Sequence, residues 1–276
     1  MLTGGWRLGR SIEGEETNMS LNGKVAVVTG GASGIGAACC REFARQRATV
    51  VVVDRAEMQA RAVAADIGGI ARALDVGDPE QIASVARDIE SEYGVADILV
   101  NSAGIIQLPL PVKDLPLQIW DDIVRINQRG TYLTCLEFGS RMAAARKGSI
   151  VNIASIAGMR SMPLHAYSPA KAAVIAMTEN LAAEWGRAQV RVNAVSPGYT
   201  MTPVIKSAIE RGERDPGRLS ENSALGRMVL PEEIASVVVF LCGPEASAIT
   251  GANIPVDCGA TVAMSWNPYG GVGIRS

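Results

Sequence analysis

Residues 24–36 of the chain read Lys24-Val25-Ala26-Val27-Val28-Thr29-Gly30-Gly31-Ala32-Ser33-Gly34-Ile35-Gly36. The β-branched run before Gly30 predicts a buried strand of a parallel sheet. Apolar residues then recur at helical spacing, so a helix follows the glycines. A strand that turns through glycines into a helix is suited to hold a pyrophosphate, because the first N–H groups of the helix are free. The spacing, Thr-Gly-x-x-x-Gly-x-Gly, is not the commonest dinucleotide fingerprint, so a simple tight turn remains an alternative at this point.

The next strand supports the nucleotide interpretation. A second apolar run, Thr49 to Val53, ends at Asp54. An acid about 20 residues past the glycines is placed to accept hydrogen bonds from an adenosine ribose. The glycine turn and Asp54 together favour a dinucleotide site over a simple turn.

A third feature is the pentapeptide Tyr167-Ser168-Pro169-Ala170-Lys171, which follows Ser155 at the end of another apolar run. In a helix, a step of four residues puts Tyr167 and Lys171 on one face. A neighbouring ammonium favours the phenolate, so it is expected to lower the Tyr167 pKa from its usual value of about 10. An isolated Tyr-x-x-x-Lys is more often a surface Tyr and a solvated Lys, so the assignment depends on the other motifs.

From Leu21 to about Val262 the chain resembles the short-chain dehydrogenase/reductase family. The motifs that carry the resemblance stand in the family's order: the glycine turn, Asp75-Val76, Asn101-Ser102-Ala103-Gly104, Asn127, Ser155 with Tyr167 and Lys171, and Pro197-Gly198. Two departures are present. Ser102 stands where the family usually has a second Asn, and the family's interval from the Ser to the Tyr is often one residue longer than Ser155 to Tyr167.

The resemblance implies an oxidoreductase that moves a hydride between a nicotinamide and a secondary alcohol or ketone. Tyr167 would donate and accept the proton, and Lys171 would lower its pKa and reach the nicotinamide ribose. Ser155 would bind the substrate oxygen, and Asn127 would hold a water that connects Lys171 to solvent. The cofactor-binding residues implied are Gly30, Ser33, Gly34, Ile35, Gly36, Asp54, Arg55, Asp75, Val76, Asn101, Ser102, Ala103, Gly104, Tyr167, Lys171, Pro197, Gly198, Thr200 and Thr202.

Composition excludes several other classes. The net charge is −2 with charges interspersed, so nucleic acid is not an expected partner. The single histidine, His165, excludes a His-dependent hydrolase triad and any zinc site built from several histidines, and no metal is expected. No apolar run approaches the roughly 20 residues that span a bilayer. Five cysteines without a C-x-x-C pair are typical of reduced thiols in the cytoplasm.

Alternating strand-like and helix-like runs predict one α/β domain over residues 20–262, a doubly wound parallel sheet of about seven strands with the Rossmann fold. Residues 1–19 are expected to be a flexible extension, with Met19 as a possible start. The polar segment 200–228, with only a weak helical pattern around Val204 to Ile209, is a candidate lid. Asp78 followed by Pro79 predicts the start of a helix, and a last strand is predicted near Asn253 to Val256. The tail 263–276 holds Trp266 and Tyr269 and is predicted to dock on a neighbouring subunit or over the cleft; folding back on its own domain is the alternative. The resemblance implies a homotetramer built on the long helices.

The leading hypothesis is an enzyme that prefers NAD over NADP, because Asp54 would repel a 2′-phosphate, although Arg55 would attract it. Polyols, hydroxy acid derivatives and cyclic alcohols remain open as substrates, and reduction of a 3-oxoacyl thioester is a related alternative. A nucleotide-sensing module without catalysis is the alternative from another class, disfavoured by the complete set of Ser155, Tyr167 and Lys171. The predicted pocket wall is Ile105, Ile106, Gln107, Met159, Arg160, Met162, His165, Tyr199 and Met201.

Overall fold

The fold centres on a sheet of seven parallel strands in the order β3-β2-β1-β4-β5-β6-β7. The computed structural model describes residues 21–221 and 223–272, so the predicted extension 1–19 lies outside the described residues. The predicted doubly wound parallel sheet is confirmed. Its strands are β1 (Val25–Thr29), β2 (Thr49–Asp54), β3 (Ile70–Ala73), β4 (Ile98–Asn101), β5 (Gly148–Ile153), β6 (Val190–Pro197) and β7 (Asn253–Val256).

Helices cover both faces of the sheet. The longest, α4, spans residues 117–144; its α-helical parts Leu117–Ile123, Thr131–Thr134 and Ser140–Ala144 alternate with π-helical parts Val124–Gly130 and Cys135–Gly139. Asp78 caps α3 (Pro79–Tyr93) as predicted, accepting hydrogen bonds from the backbone N–H groups of Glu80 and Gln81. The other helices are α1 (Gly34–Arg45), α2 (Glu57–Ile67), α5 (Tyr167–Trp185), α6 (Pro203–Glu210), α7 (Pro216–Ser220), α8 (Pro231–Cys242) and α9 (Ala260–Ala263).

The valine runs of β1 and β2 supply two separate cores. Val28 is buried in one cluster with Phe43 of α1, and Val27 in the other with Ile82 of α3 and Phe138 of α4. Successive side chains of a strand point to opposite faces, so a strand covered on both faces needs an uninterrupted apolar run. This explains why the sequence lacks the alternation of a half-exposed strand.

The segment 200–228 is more ordered than its composition suggests. It contains α6 and α7, where the sequence predicted only a weak helical pattern near Val204 to Ile209. Asp215 caps α7, accepting a hydrogen bond from the backbone N–H of Gly217, and Pro216 occupies the first helical position. The role of this segment as a lid stays a prediction.

After α9, residues Met264–Tyr269 form a 3₁₀ helix. Trp266 is half exposed, with 51% of its surface accessible. None of the described tail residues lines the cleft described below. Docking of the tail on another subunit stays a prediction. Within the described ranges, no helix has both the length and the apolar character needed to cross a bilayer.

Candidate active site

A cleft of about 640 Å³ opens at the carboxyl ends of the central strands. Ligands of open parallel sheets bind at this edge. Of the predicted site residues, the cleft brings together Gly30, Ser33, Gly34, Ile35, Asp54, Arg55, Asp75, Val76, Ser102, Ala103, Gly104, Ser155, Tyr167, Lys171, Pro197, Gly198, Thr200 and Thr202. Gly36, Asn101 and Asn127 do not line it.

The glycine turn leaves no room for side chains at two positions. Gly30 has a φ of +67°, and a Cβ there would lie 2.6 Å from the backbone N of Ala103. A Cβ on Gly36 would lie 2.1 Å from the carbonyl O of Gly30. Gly36 therefore packs against the backbone of the turn at Gly30 and does not line the cleft. The backbone of α1 can approach the turn closely only because both residues are glycine.

The N-terminus of α1 is free to receive an anion. Ser33 stands at the cap position, but its side chain makes no capping hydrogen bond to the described first turn, and that turn contains no acidic residue. The first N–H groups of a helix have no partner within the helix and carry partial positive charge. Since Ser33, Gly34 and Ile35 line the cleft, this end suits a pyrophosphate.

Asp54 is fixed at the end of β2 by two backbone groups. Its Oδ2 accepts a hydrogen bond from the N–H of Ala32 at 3.1 Å, and its Oδ1 accepts one from Ala56 at 2.9 Å. The carboxylate is thus tied to the glycine turn and keeps lone pairs for further donors. Arg55 beside it is exposed, with its side chain at the rim of the cleft. The glycine turn, which forms a cradle at Gly30 and Gly36, fits a dinucleotide together with the free N-terminus of α1 and the Asp54 carboxylate.

Ser155, Tyr167 and Lys171 meet in the same cleft. The Ser155 hydroxyl hydrogen-bonds the Tyr167 phenol and also accepts from the N–H of Ala157 at 3.1 Å. The Lys171 Nζ donates to the carbonyl of Ile153 at 2.7 Å and lies 5.7 Å from the centroid of the Tyr167 ring. The shorter interval from Ser155 to Tyr167 therefore still brings the two hydroxyls together.

Burial governs the titration of both residues. Desolvation raises the pKa of Tyr167, and the hydrogen bond with Ser155 acts in the opposite direction. Burial also lowers the pKa of Lys171 to about 8. The prediction that Lys171 lowers the Tyr167 pKa is thus not met. The physical reason is that the same low-dielectric surroundings disfavour both the phenolate and the ammonium.

We expect the Tm advantage of the wild type over Lys171→Met to grow as the pH rises from about 8 to about 10.5. The folded-state pKa of Lys171, about 8, is below its ordinary value of 10.5. Between these values the unfolded chain holds a proton that the folded wild type lacks, so wild-type stability rises with pH, and Met has no such dependence. The measurement is Tm against pH for both proteins.

The control is Lys113→Met, which removes an exposed ammonium from a 3₁₀ turn. The difference in Tm between Lys113→Met and the wild type should stay flat over the same pH range, because an exposed side chain has nearly the same aqueous surroundings in the folded and unfolded chains. A flat difference for Lys171→Met as well would show that Lys171 is not a buried titrating group.

Asn127 lies in the π-helical part of α4, behind the cleft wall. Its Oδ1 accepts from the N–H of Ile105 and its Nδ2 donates to the carbonyl of Ile105, both at 2.8 Å. A Cβ on Gly104 would lie 3.2 Å from Asn127 Oδ1 and 3.8 Å from Lys171 Nζ, so the amide and the ammonium flank the same glycine. Asn127 therefore fixes the loop after β4 beside Lys171. Its role in holding a water stays a prediction.

Asn101 is not among the residues that line the cleft, and its assignment as a cofactor contact stays a prediction. Its side chain is buried, donates to Asn152 Oδ1 at 2.8 Å and accepts from Thr134 Oγ1 at 2.7 Å. These bonds join β4, β5 and α4 beneath the site. The physical reason is the pleat: at the end of β4 the Asn101 side chain turns toward α4, while Ser102 and Ala103 form the cleft wall.

The predicted pocket wall is correct in part. Its members that line the cleft are Ile105, Ile106, Gln107, Met162 and Tyr199. Met159, Arg160, His165 and Met201 are not among the lining residues. The cleft is also lined by residues that were not predicted from the sequence, among them Leu164, Arg214, Leu219 and Met228. The polar composition of 200–228 marked the segment that supplies Arg214, but only the path of the turn between α6 and α7 shows which of its arginines lines the cleft.

No metal site accompanies these residues in the part of the chain that the structure describes. No group of three or more His, Cys, Asp or Glu side chains there is arranged to hold an ion. The polar groups of the cleft include hydroxyls, the Lys171 ammonium, the carboxylates of Asp54 and Asp75, the guanidinium groups of Arg55 and Arg214, the Gln107 amide and backbone N–H groups. This is a donor set for a nucleotide and a small hydroxylated molecule.

Comparisons with known proteins agree with this geometry. Residues 30–261 match a family model described as enoyl-(acyl carrier protein) reductase. D-threitol dehydrogenase of Mycolicibacterium smegmatis is 41% identical over 248 residues, which cover 88% of this chain and 94% of that protein. NAD-dependent glycerol dehydrogenase of Listeria innocua is 37% identical over 260 residues, covering 91% and 99% of the two chains.

The similarity extends to solved structures. A crystal structure of ribose-5-phosphate isomerase from Brucella melitensis is 50% identical with a TM-score of 0.91. The match covers 93% of this chain and 100% of that one.

Proposed function

Because the chain belongs to the short-chain dehydrogenase/reductase family, we propose that it oxidises a secondary alcohol of a small polyol, or reduces the corresponding ketone, with NAD. It is an oxidoreductase that acts on CH–OH groups. One observation carries the finer proposal. Ser155, Tyr167 and Lys171 lie together in the cleft that also contains the glycine turn and Asp54.

The cleft fits the cofactor on structural grounds. A Cβ at Gly30 or Gly36 would fill the cradle, and the uncapped end of α1 offers free N–H groups to a pyrophosphate. Asp54 would hold the adenosine ribose, and Lys171 the nicotinamide ribose. NAD, when bound, supplies the hydride chemistry, so the protein has only to orient the reactants and to manage one proton.

The proton is managed by the chain's own residues. Ser155 Oγ would donate a hydrogen bond to the substrate oxygen, and Tyr167 Oη would take the alcohol proton in oxidation and return it in reduction. Lys171 would hold the nicotinamide ribose beside Tyr167, and Asn127 keeps the neighbouring loop in place. A sensing module without catalysis needs neither a buried hydroxyl pair nor a desolvated lysine, which supports the enzyme over that alternative.

The test of the proposed function is turnover with a panel of substrates. D-threitol, galactitol and glycerol are each offered with NAD while the formation of reduced nicotinamide is followed. Oxidation of at least one polyol by the wild type is expected. Silence across the panel would contradict the proposed substrate class.

A second candidate is reduction of an acyl thioester, favoured by the description of the matching family model. It is tested with a 3-oxoacyl thioester and reduced cofactor. A third arm offers ribose 5-phosphate without nicotinamide, because an isomerisation needs no hydride carrier from the cleft. We expect no product there, since the glycine cradle and Asp54 have no function in such a reaction.

We expect kcat/KM with NAD to exceed that with NADP by at least roughly tenfold. A 2′-phosphate about 4 Å from Asp54 would cost about 1–4 kcal/mol at effective dielectric constants of roughly 80 to 20. Asp54→Asn removes the charge but keeps an acceptor, so it should raise kcat/KM for NADP. Steady-state kinetics with both cofactors measure this.

The matched control for the cofactor experiment is Asp88→Asn, which removes an exposed carboxylate from α3 far along the helix from the cleft. Its ratio of NAD to NADP should equal that of the wild type. Equal kcat/KM values for the two cofactors in the wild type would contradict the proposed preference for NAD and would indicate that Arg55 offsets the repulsion between Asp54 and a 2′-phosphate.

A homotetramer in the cytoplasm is the proposed state. The support is an exposed apolar face on α4, where Leu117 is 80%, Tyr132 45% and Leu136 41% accessible. Apolar side chains spaced along one helix are typical of a face that another subunit covers. The tail 263–276 would then lie near a subunit boundary. Sedimentation of the purified protein measures the state.

A further inference from the structure

Among the amide, guanidinium and imidazole side chains of the predicted pocket wall, which are Gln107, Arg160 and His165, the structure places Gln107 alone in the cleft. Its side chain is 1% exposed. Arg160 is instead exposed and donates to the carbonyl of Met159, and His165 is not among the lining residues. Gln107 therefore combines two properties seldom found together, full burial and a place in the wall of a substrate cleft.

The oxygen end of the Gln107 amide holds the start of α5. Oε1 accepts a hydrogen bond from the N–H of Ala166 at 2.8 Å and from the N–H of Tyr167 at 3.2 Å. The cap position of α5 is Ala166, which has no side-chain acceptor, and the first turn has no acidic residue. Gln107 thus caps, from the loop after β4, the helix that carries Tyr167 and Lys171.

The nitrogen end of the same amide has no hydrogen-bond partner among the described residues. Nε2 is buried and unpaired. The orientation of the amide is determined, because a flipped amide would turn its NH₂ group toward two backbone N–H donors. A buried donor without a partner costs about 1–3 kcal/mol, so an acceptor is expected to complete it.

We propose that Gln107 is a specificity-determining residue whose Nε2 donates a hydrogen bond to a second oxygen of the substrate. That oxygen lies on a carbon near the one that exchanges hydride, which is the pattern of a polyol or its ketone. This inference rests on the proposed function and narrows its substrate class. It assigns the Gln107 amide two partners, the catalytic helix through oxygen and the substrate through nitrogen.

A second unpaired atom suggests the competing explanation. Ser168 Oγ, one residue after Tyr167, is also buried without a partner among the described residues. A water held between such groups would complete both donors without any ligand. In that case Gln107 would support the fold only, and its replacement would change all substrates alike.

The experiment compares diketones with a matched monoketone. Hexan-2-one, hexane-2,3-dione and hexane-2,5-dione are reduced with NADH, and kcat/KM is measured for each. The second carbonyl is an acceptor only, so an NH₂ group attracts it, a carboxylate repels it and a thioether does neither. The ratio of dione to monoketone within one protein cancels any general loss of activity.

Two variants separate the ends of the amide. Gln107→Glu keeps the acceptor for Ala166 and Tyr167, and Gln107→Met keeps only the shape. We expect both to lower the ratio for at least one dione about 3- to 10-fold, the worth of one hydrogen bond. Gln107→Met should lower Tm because the cap of α5 is lost, and Gln107→Glu because a carboxylate is buried. Gln59→Glu, the same change on the exposed face of α2, should leave the ratio unchanged.

The outcomes are distinguishable. An unchanged ratio for both diones in both variants overturns the inference and points to a purely structural Gln107, with or without a water. A wild type that reduces no ketone of the set and oxidises no polyol overturns the proposed function, and the inference with it. A ratio of dione to monoketone that falls in Gln107→Met but not in Gln107→Glu also overturns the inference, because neither methionine nor a carboxylate offers the hydrogen-bond donor of the amide.

Discussion

Tyr167→Phe is expected to lower kcat by a factor of roughly 10²–10⁴, the usual contribution of a positioned acid–base group. The ring keeps its packing and its contact with the Lys171 ammonium, so only the titratable oxygen and its hydrogen bond with Ser155 are lost. NADH affinity should stay within a factor of about two, which is about 0.4 kcal/mol, because the substitution leaves the glycine cradle and Asp54 unchanged. Steady-state kinetics and the fluorescence of bound NADH give the two quantities.

The matched control is Tyr93→Phe, which removes a phenol at the end of α3 on the far side of the fold from the strand ends. It should leave kcat unchanged. Burial raises the pKa of Tyr167, so the wild-type oxidation rate should still be climbing above neutral pH, and Tyr167→Phe should abolish this rise. Substantial turnover by Tyr167→Phe at every pH would remove Tyr167 from the mechanism.

Gly36→Ala is expected to lower Tm by roughly 5–10 °C, corresponding to about 2–3 kcal/mol in a domain of this size. The added Cβ would lie 2.1 Å from the carbonyl O of Gly30, and the atom it meets belongs to the backbone, which cannot move aside like a side chain. The turn must therefore shift. We expect the Kd for NADH to rise at least about tenfold, because the N–H groups of α1 leave their positions around the pyrophosphate.

Gly186→Ala provides the matched comparison. Gly186 has helical backbone angles, φ −56° and ψ −42°, and a Cβ there meets no atom within 4 Å. The same substitution should therefore leave NADH binding unchanged and raise stability by about 0.4–1 kcal/mol, because alanine restricts the unfolded chain. If Gly36→Ala behaved like Gly186→Ala in both measurements, close packing of α1 on the turn would not be a condition for binding.

Local signals in the sequence predicted much of the fold. The cap at Asp78 followed by Pro79 set the start of α3, and Asn253–Val256 was predicted with the bounds that β7 has. These succeed because a cap residue and an apolar run act within a few neighbours. The π-helical parts of α4 were not predictable, because their residues have the same periodicity as an ordinary helix until tertiary contacts widen a turn.

For the site, position along the chain proved more predictable than direction in space. Strand ends correctly indicated that Gly30, Asp54 and Ser155 share one edge. They did not indicate that Asn101 turns away from the cleft or that Gln107 reaches α5, since both depend on which helix packs behind the loop. The direction of the Tyr167 pKa was wrong for a similar reason. Spacing reveals a neighbouring cation but not how completely both groups are desolvated.

The π-helical turn of α4 around Asn127 has a consequence for insertions and deletions. A π turn accommodates one extra residue without rotating the helix beyond it. The side chains of Phe138 and Met142 therefore face the sheet with or without the extra residue. The two hydrogen bonds between Asn127 and Ile105, in contrast, depend on the extra residue. Residues that support the reaction and residues that stabilise the domain thus lie in separate parts of one helix, so related proteins could gain or lose the first part without a change in the packing of the second.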